Sequence, residues 1–262
     1  MAMRYSLFEK KTSFVHRLDP RAKLVWLLTM FVLAILFVHP VYTMAIFGSI
    51  LCVMILSRLS LSRLVPQLRA IAVVACMSLL LWPIWIRPGN VLLNAGSLRI
   101  TDLGLLMGVG VAFRLASLMS VGPVYLMTTS QRDFIAGLTH LKLPYKVVFL
   151  LSTSFRFLPA VIGEIATITE AQTSRGLELD KGSIVERLRK RLPVLIPTII
   201  LSIKSSQNLA IAIESRAFGA YKDRTCLSEL RFRSADYAFS ALCLAVLVLG
   251  FWLSSQRFGL VL

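Results

Sequence analysis

Apolar runs set the plan of this chain. Residues 24–38 form one such run, His39-Pro40 breaks it, and 41–56 forms the next. Each is short against the roughly 20 residues of a full crossing, while one unbroken helix would overrun a bilayer. The pattern therefore predicts two helices joined by a tight turn, with His39 as a turn residue. Residues 70–86 predict a third span, with Trp82 and Trp85 near its end as an aromatic belt. Residues 103–127 predict a fourth and 237–253 a last. Between the second and third, Arg58, Arg63 and Arg69 punctuate Leu59, Leu61, Leu64 and Val65, the pattern of a separate interfacial amphipathic piece. Asp19 before Pro20, and Thr101-Asp102, are helix-start signals; Arg87-Pro88-Gly89-Asn90 and Gly96 mark a turn and a loop.

The fourth span is rich in small residues. Gly104 and Gly108 are four apart, as are Ala112 and Ala116, a spacing that favours close helix packing in a bilayer. Arg114 sits among them. An arginine there costs about 3 kcal/mol on insertion scales, so it needs a partner or a wet setting. Contact with a partner protein and an internal hydrogen-bonded role are both open.

Residues 131–235 break the pattern, with sixteen Lys/Arg against nine Asp/Glu. Two apolar stretches remain, 143–171 and 192–213. In the second, Leu195, Ile196, Ile199, Ile200, Ile203 and Ala210 recur at steps of three and four, with Thr198, Ser202, Ser205 and Ser206 opposite. That is the period of an amphipathic helix. The first carries Arg156, Pro159, Glu164 and Glu170, poor company for lipid. Periodicity alone also allows two more spans.

Composition agrees with a membrane protein. Hydrophobic residues make up 56% of 262 and only 16% are charged. The net charge of +16 then reports topology before it reports any nucleic acid. Six basic residues precede residue 24, three lie in 57–69 and sixteen in 131–235, against two in 87–101. The positive-inside rule puts the N-terminus and the large segment in the cytoplasm. The expected architecture is an all-α polytopic membrane protein. A membrane domain of four spans (1–130) precedes long amphipathic cytoplasmic helices (131–235), and a last span (236–262) follows. The charged N-terminus lacks a cleavage signal. Cys52, Cys76, Cys226 and Cys243 have no metal or redox spacing and read as packing residues without disulfides.

Two short sequences stand out in the basic segment: Ala171-Gln172-Thr173-Ser174-Arg175-Gly176 and Ile213-Glu214-Ser215-Arg216-Ala217-Phe218-Gly219. Each sets one arginine between small residues at the end of an apolar run. Gly176 and Gly219 are natural helix stops, and a cation near a last turn is favoured by the helix dipole, so each site alone is explained as a helix end. The repetition suggests a shared task. Small neighbours admit close approach, and guanidinium offers a fixed fork for a carboxylate. Ser174, Arg175 and Gly176, with Ser215, Arg216 and Ala217, are the candidate docking residues. Arg156, Glu170, Glu214 and Gly219 are candidate supporting residues.

These motifs, with His16-Arg17-Leu18-Asp19-Pro20-Arg21-Ala22-Lys23-Leu24 and Phe155-Arg156-Phe157-Leu158-Pro159, carry a resemblance over nearly the whole chain. The chain resembles the transmembrane T component of energy-coupling factor (ECF) transporters, the EcfT/CbiQ/BioN family. It departs in having Ser174 and Ser215 where the family often has Ala, and Ala217 where Gly is common. The resemblance implies a multi-pass subunit of the cell's inner membrane, with two cytoplasmic ABC ATPase subunits and a separate substrate-binding S component as partners. ATP would be bound by the ATPases and no cofactor by this chain. Arg175 and Arg216 would meet acidic groups of the ATPases. The apolar faces of 143–171 and 192–213 would cradle the S component, which takes a vitamin or a transition-metal ion. The alternative is a conventional ABC importer permease that binds substrate itself. An enzyme would need convergent acid, base, nucleophile or metal ligands. The histidines His16, His39 and His140 lie far apart in sequence, and no HExxH, phosphate loop or nucleophile elbow is present.

Overall fold

A computed structural model describes residues 13–86, 91–95, 98–140, 144–178, 183–218 and 232–256. Among them the chain is helical apart from one short hairpin, and its contacts divide it into a bundle and a unit made from residues 142–229.

The bundle begins with a single turn, α1 (Phe14–Arg17), and α2 (Pro20–Leu36). The start of α2 follows from its sequence: the Asp19 carboxylate accepts the Arg21 N–H at 3.0 Å, and Pro20 has no N–H to leave unsatisfied. The break at His39-Pro40 is the predicted turn. His39 caps α3 (Pro40–Leu56), its Nδ1 accepting the Val41 N–H at 3.4 Å. Phe37 and Tyr42 stack across the turn at 4.8 Å, and the Ser49 hydroxyl reaches the Met30 sulfur at 3.4 Å, so α2 and α3 run antiparallel. Trp26, Met30, Leu33, Ile46 and Ile50 form their shared core.

α4 (Leu61–Trp85) corrects one expectation. The stretch read as a separate interfacial piece is its first turns. Between 61 and 70 there is no glycine or turn signal, and Pro66 forfeits one bond near the start without ending the helix. An antiparallel hairpin, β1 (Val91–Ala95) and β2 (Leu98–Thr101), leads directly into α5 (Asp102–Thr128); the loop reading did not anticipate it. The Thr101 hydroxyl joins three elements, accepting the Gly104 N–H at 3.2 Å and donating to the Ile86 carbonyl at 2.9 Å.

α5 is the centre of the bundle, packed on α2, α3 and α4. Its small residues permit this. Pro83 and Trp82 lie against Gly104 and Gly108, and a Cβ on Gly110 would collide with the Val38 carbonyl oxygen at the α2–α3 turn. One turn later, Arg114 reaches the end of α2, where its Nε donates to the Ala34 carbonyl at 2.8 Å and its Nη2 to Ile35 at 2.6 Å. These are among the last carbonyls of α2, which have no intrahelical donor. Arg114 is the internal hydrogen-bonded arginine of the two readings.

The opposite end is closed by α6 (Gln131–His140), packed on α2, and by α9 (Ser234–Ser255). The Asp236 carboxylate accepts the Asp19 N–H at 2.8 Å and the Arg233 N–H at 2.9 Å. Lys23, at the polar end of α2, donates to the carbonyls of Thr128 (2.9 Å) and His16 (3.2 Å). Burial pulls its pKa down to about 8, against the raising pull of Asp133, Asp19 and Asp236.

The other unit is a pair of long helices, α7 (Tyr145–Ser174) and α8 (Ile184–Glu214). A capping box starts α8: the Ser183 hydroxyl accepts the Glu186 N–H at 3.4 Å, and Glu186 accepts the Ser183 N–H at 2.9 Å. Gln172 near the end of α7 bonds Pro193 near the start of α8, while Phe218 beyond α8 packs on Tyr145 and Phe149 at the start of α7. The two helices are therefore antiparallel.

Among the described residues, five helices are long and apolar enough to cross a membrane: 65–85 within α4, α5, α7, 185–214 within α8, and α9. α7 and α8 thus qualify by length and composition, although the sequence reading set them in a cytoplasmic segment. α3 is a shorter apolar helix, as its sequence predicted.

Candidate functional site

The two arginine motifs form the same structure twice. At the first, the Gly176 N–H donates to the Thr173 carbonyl (2.9 Å) and the Leu177 N–H to Gln172 (3.1 Å). At the second, the Ala217 N–H donates to Glu214 (2.9 Å) and the Phe218 N–H to Ile213 (3.2 Å). Both are Schellman closures, with a 6→1 bond outside a 5→2 bond. In each, the arginine is the last residue before the chain turns left-handed: Gly176 has φ +87° and Ala217 has φ +53°. The small residue after each arginine is thus the hinge of the turn.

This corrects the reading of Gly219 as the second helix stop. The left-handed residue is Ala217, two positions earlier, and Gly219 lies outside the described residues. Alanine is an unusual occupant, because its Cβ makes the left-handed conformation costly by about 1–2 kcal/mol.

The small residues before the arginines behave alike too. The Ser174 hydroxyl donates back to the Glu170 carbonyl at 2.9 Å and the Ser215 hydroxyl to Ile211 at 2.8 Å. Both hydroxyls are turned onto their own helices, which keeps the flank of each arginine low. Arg175 and Arg216 are exposed, as are Glu170 and Glu214. Arg156 is exposed in the middle of α7, three residues before Pro159, and joins neither tip.

The antiparallel pairing then separates the two tips. Arg175 follows the end of α7, beside the start of α8; Arg216 follows the end of α8, beside the start of α7. The 30 residues of α7 span about 45 Å, less any shortening by a bend at Pro159, so the two helix ends that carry the arginines are far apart. Along one flank, Leu195, Ile199 and Ile203 are exposed. An exposed series of this kind on one helix is characteristic of a surface that meets protein or lipid.

Sequence reasoning missed three residues of the pair. Gln172 bonds across to α8, and Phe218 closes the second end as a hydrophobic residue just beyond the turn, with Phe149 4.4 Å away. The signal for Phe218 was present, since an apolar residue commonly follows such a turn and packs nearby. Gln172 is polar on a helix rich in polar residues, and nothing local distinguishes it.

A family model described as "Cobalt transport protein" (CbiQ) matches residues 11–226. The chain is similar to proteins named "Energy-coupling factor transporter transmembrane protein EcfT". The one from Listeria innocua is 32% identical over 93% of this chain and 95% of its own length. That from Brevibacillus brevis is 28% identical over 92% and 94%. The Bacillus subtilis protein is 29% identical over 86% and 88%.

Proposed function

The chain belongs to the CbiQ family of energy-coupling transmembrane proteins, and from that premise we propose that α7 and α8 are its coupling helices, each ending in a tip that docks an ABC ATPase. The observation that carries this reading is the pairing of two equivalent arginine tips at opposite ends of one antiparallel helix pair. Two like sites far apart suit two like receptors, as in an ATPase dimer. One site with an accidental copy would not need matched closures or matched serines.

The mechanism follows from this geometry. Each tip presents a guanidinium beyond a helix end, flanked by Ser174 and Gly176 or by Ser215 and Ala217, so it can enter a narrow acidic groove. When ATP draws the two ATPases together, the tips move relative to one another. Because each tip ends a long helix of the same antiparallel pair, a displacement there is carried into the arrangement of α7 and α8. The exposed flank of α8 bears on an S component, and the changed arrangement alters how that protein sits in the membrane. Its vitamin or metal ion is then released inward. The basic bias of the 131–235 segment orients the tips to the cytoplasm of a cell whose inner membrane holds the bundle. Hydrolysis belongs to the ATPases and substrate to the S component. A conventional permease remains the second reading, and it has no use for two separated tips.

The test is purification of the full-length chain with its native partners, in wild-type form and as Arg175→Glu and Arg216→Glu. Reversing a charge at a close ion pair costs about 2–5 kcal/mol, so ATPase retention should fall at least about 30-fold while membrane insertion is unchanged. Equal retention by both variants would overturn the docking assignment. ATPases without a third, small hydrophobic protein, together with substrate binding by this chain alone, would favour the permease.

A further inference from the structure

α8 carries two prolines four residues apart, Pro193 and Pro197. Proline has no N–H, so residue 197 cannot give its helical bond to the carbonyl of residue 193, nor can 193 give one to residue 189. Two successive bonds on one side of α8 are therefore missing, and this is where the helix can bend most readily. The Pro193 carbonyl, deprived of its intrahelical donor, accepts instead from Gln172 Nε2 of α7 at 3.2 Å.

Gln172 has a second attachment. Its own carbonyl accepts the Leu177 N–H at 3.1 Å, the outer bond of the closure that holds Arg175. One residue thus grips the Arg175 tip through its backbone and the proline break of α8 through its side chain. The Arg216 end is built differently. Ile213 occupies the matching position there, and its side chain has no donor; Phe218 packs on Tyr145 and Phe149 instead. A hydrogen bond fixes distance and direction between its donor and acceptor.

We propose that Gln172 is a positioning residue that latches the Arg175 tip to the Pro193–Pro197 break, so that movement of this tip enters α8 at its bendable stretch. This rests on the reading of Arg175 as an ATPase-docking residue and adds where the motion goes.

A double-mutant cycle tests it, with the full-length chain and its ATPases and S component in proteoliposomes. Gln172→Glu keeps the size of the side chain but removes the donor. Pro197→Ala supplies the missing N–H, which claims the Pro193 carbonyl for α8 itself. Each change alone should lower the substrate moved per ATP hydrolysed by about two- to tenfold, the range set by one hydrogen bond. ATPase retention should stay at the wild-type level in Pro197→Ala, which adds no charge beside Arg175. The double variant should be no worse than either single one. A merely structural role would lower hydrolysis and transport together and leave their ratio unchanged. An unchanged ratio in Gln172→Glu, or losses that multiply in the double variant, would overturn the latch.

A second measurement separates this from the docking reading. Spin labels at Ala171 and Leu192 report the distance across the latch in the full-length chain alone. The distribution should be narrow in the wild type and broad in Gln172→Glu. If the wild-type chain fails to hold ATPases yet the distribution broadens in Gln172→Glu, docking falls while the tie between Gln172 and the proline break stands. If Gln172→Glu leaves the distribution narrow, the latch is wrong whatever the ATPases do.

Discussion

The bundle and the α7–α8 pair contain similar residues and use them in opposite ways. In the bundle, three charged side chains are turned inward to groups of the same chain. Arg114 is bound to two carbonyls at the end of α2, Lys23 to two more at the other end, and Asp236 to two N–H groups. In the pair, Arg175 and Arg216 are exposed, and what is fixed is the backbone that presents them. Apolar residues divide less cleanly: Trp26, Leu33 and Ile50 are buried in the bundle, but Ile55 and Trp85 are exposed there, as Leu195, Ile199 and Ile203 are on α8. An arginine whose donors are satisfied internally holds the fold together. One left exposed on a rigid tip is available to another molecule.

The comparison can be broken first at Gly110. A side chain there meets the Val38 carbonyl oxygen, which is backbone and cannot swing aside. Gly110→Leu should destabilise the bundle by about 3 kcal/mol, at the upper end for overpacking, and lower its thermal midpoint in detergent. Arg114→Met comes next. It strands two carbonyls that now receive charge-assisted bonds worth about 1.5–3 kcal/mol each, but it also relieves the membrane of an arginine costing about 3 kcal/mol. The net loss should be about 2 kcal/mol by the same measurement. Arg175→Glu should leave that midpoint unchanged. If it melts the protein as Arg114→Met does, the division between internal and presented arginines fails.

Much of this division was legible beforehand. The Asp19-Pro20 start, the turn at His39-Pro40, the small-residue face of α5 and the two arginine motifs were all local signals, carried by residues a few positions apart. What stayed hidden depends on partners far along the chain. Asp236 meets Asp19 and Lys23 meets Thr128, more than a hundred residues away in each case. The role of Arg114 was left open for that reason, since a lone arginine in an apolar run states a need without naming who meets it. The hairpin at β1 and β2 was masked because Gly96 and Asn90 read equally well as a plain loop. The second helix stop was misassigned for a different reason. Glycine is the usual left-handed residue, so Gly219 outweighed an alanine that takes that conformation at a cost.

That alanine gives the smallest effect and the sharpest comparison of the two tips. Gly176 and Ala217 occupy the same left-handed position, so replacing one by the other's residue should act with opposite signs. Gly176→Ala adds a Cβ where φ is +87°, and nothing lies within 4 Å to clash with it, so the expected cost is conformational alone, about 1 kcal/mol. Ala217→Gly removes that strain, but glycine also has more freedom to lose on folding, which returns a fraction of the gain. Hydrogen exchange of the Leu177 and Phe218 amides reads the closures directly: protection should fall at Leu177 in the first variant and rise at Phe218 in the second. Were both substitutions to lower protection, the alanine at 217 would be held by contacts of its own rather than tolerated against strain, and the two tips would not be one structure built twice.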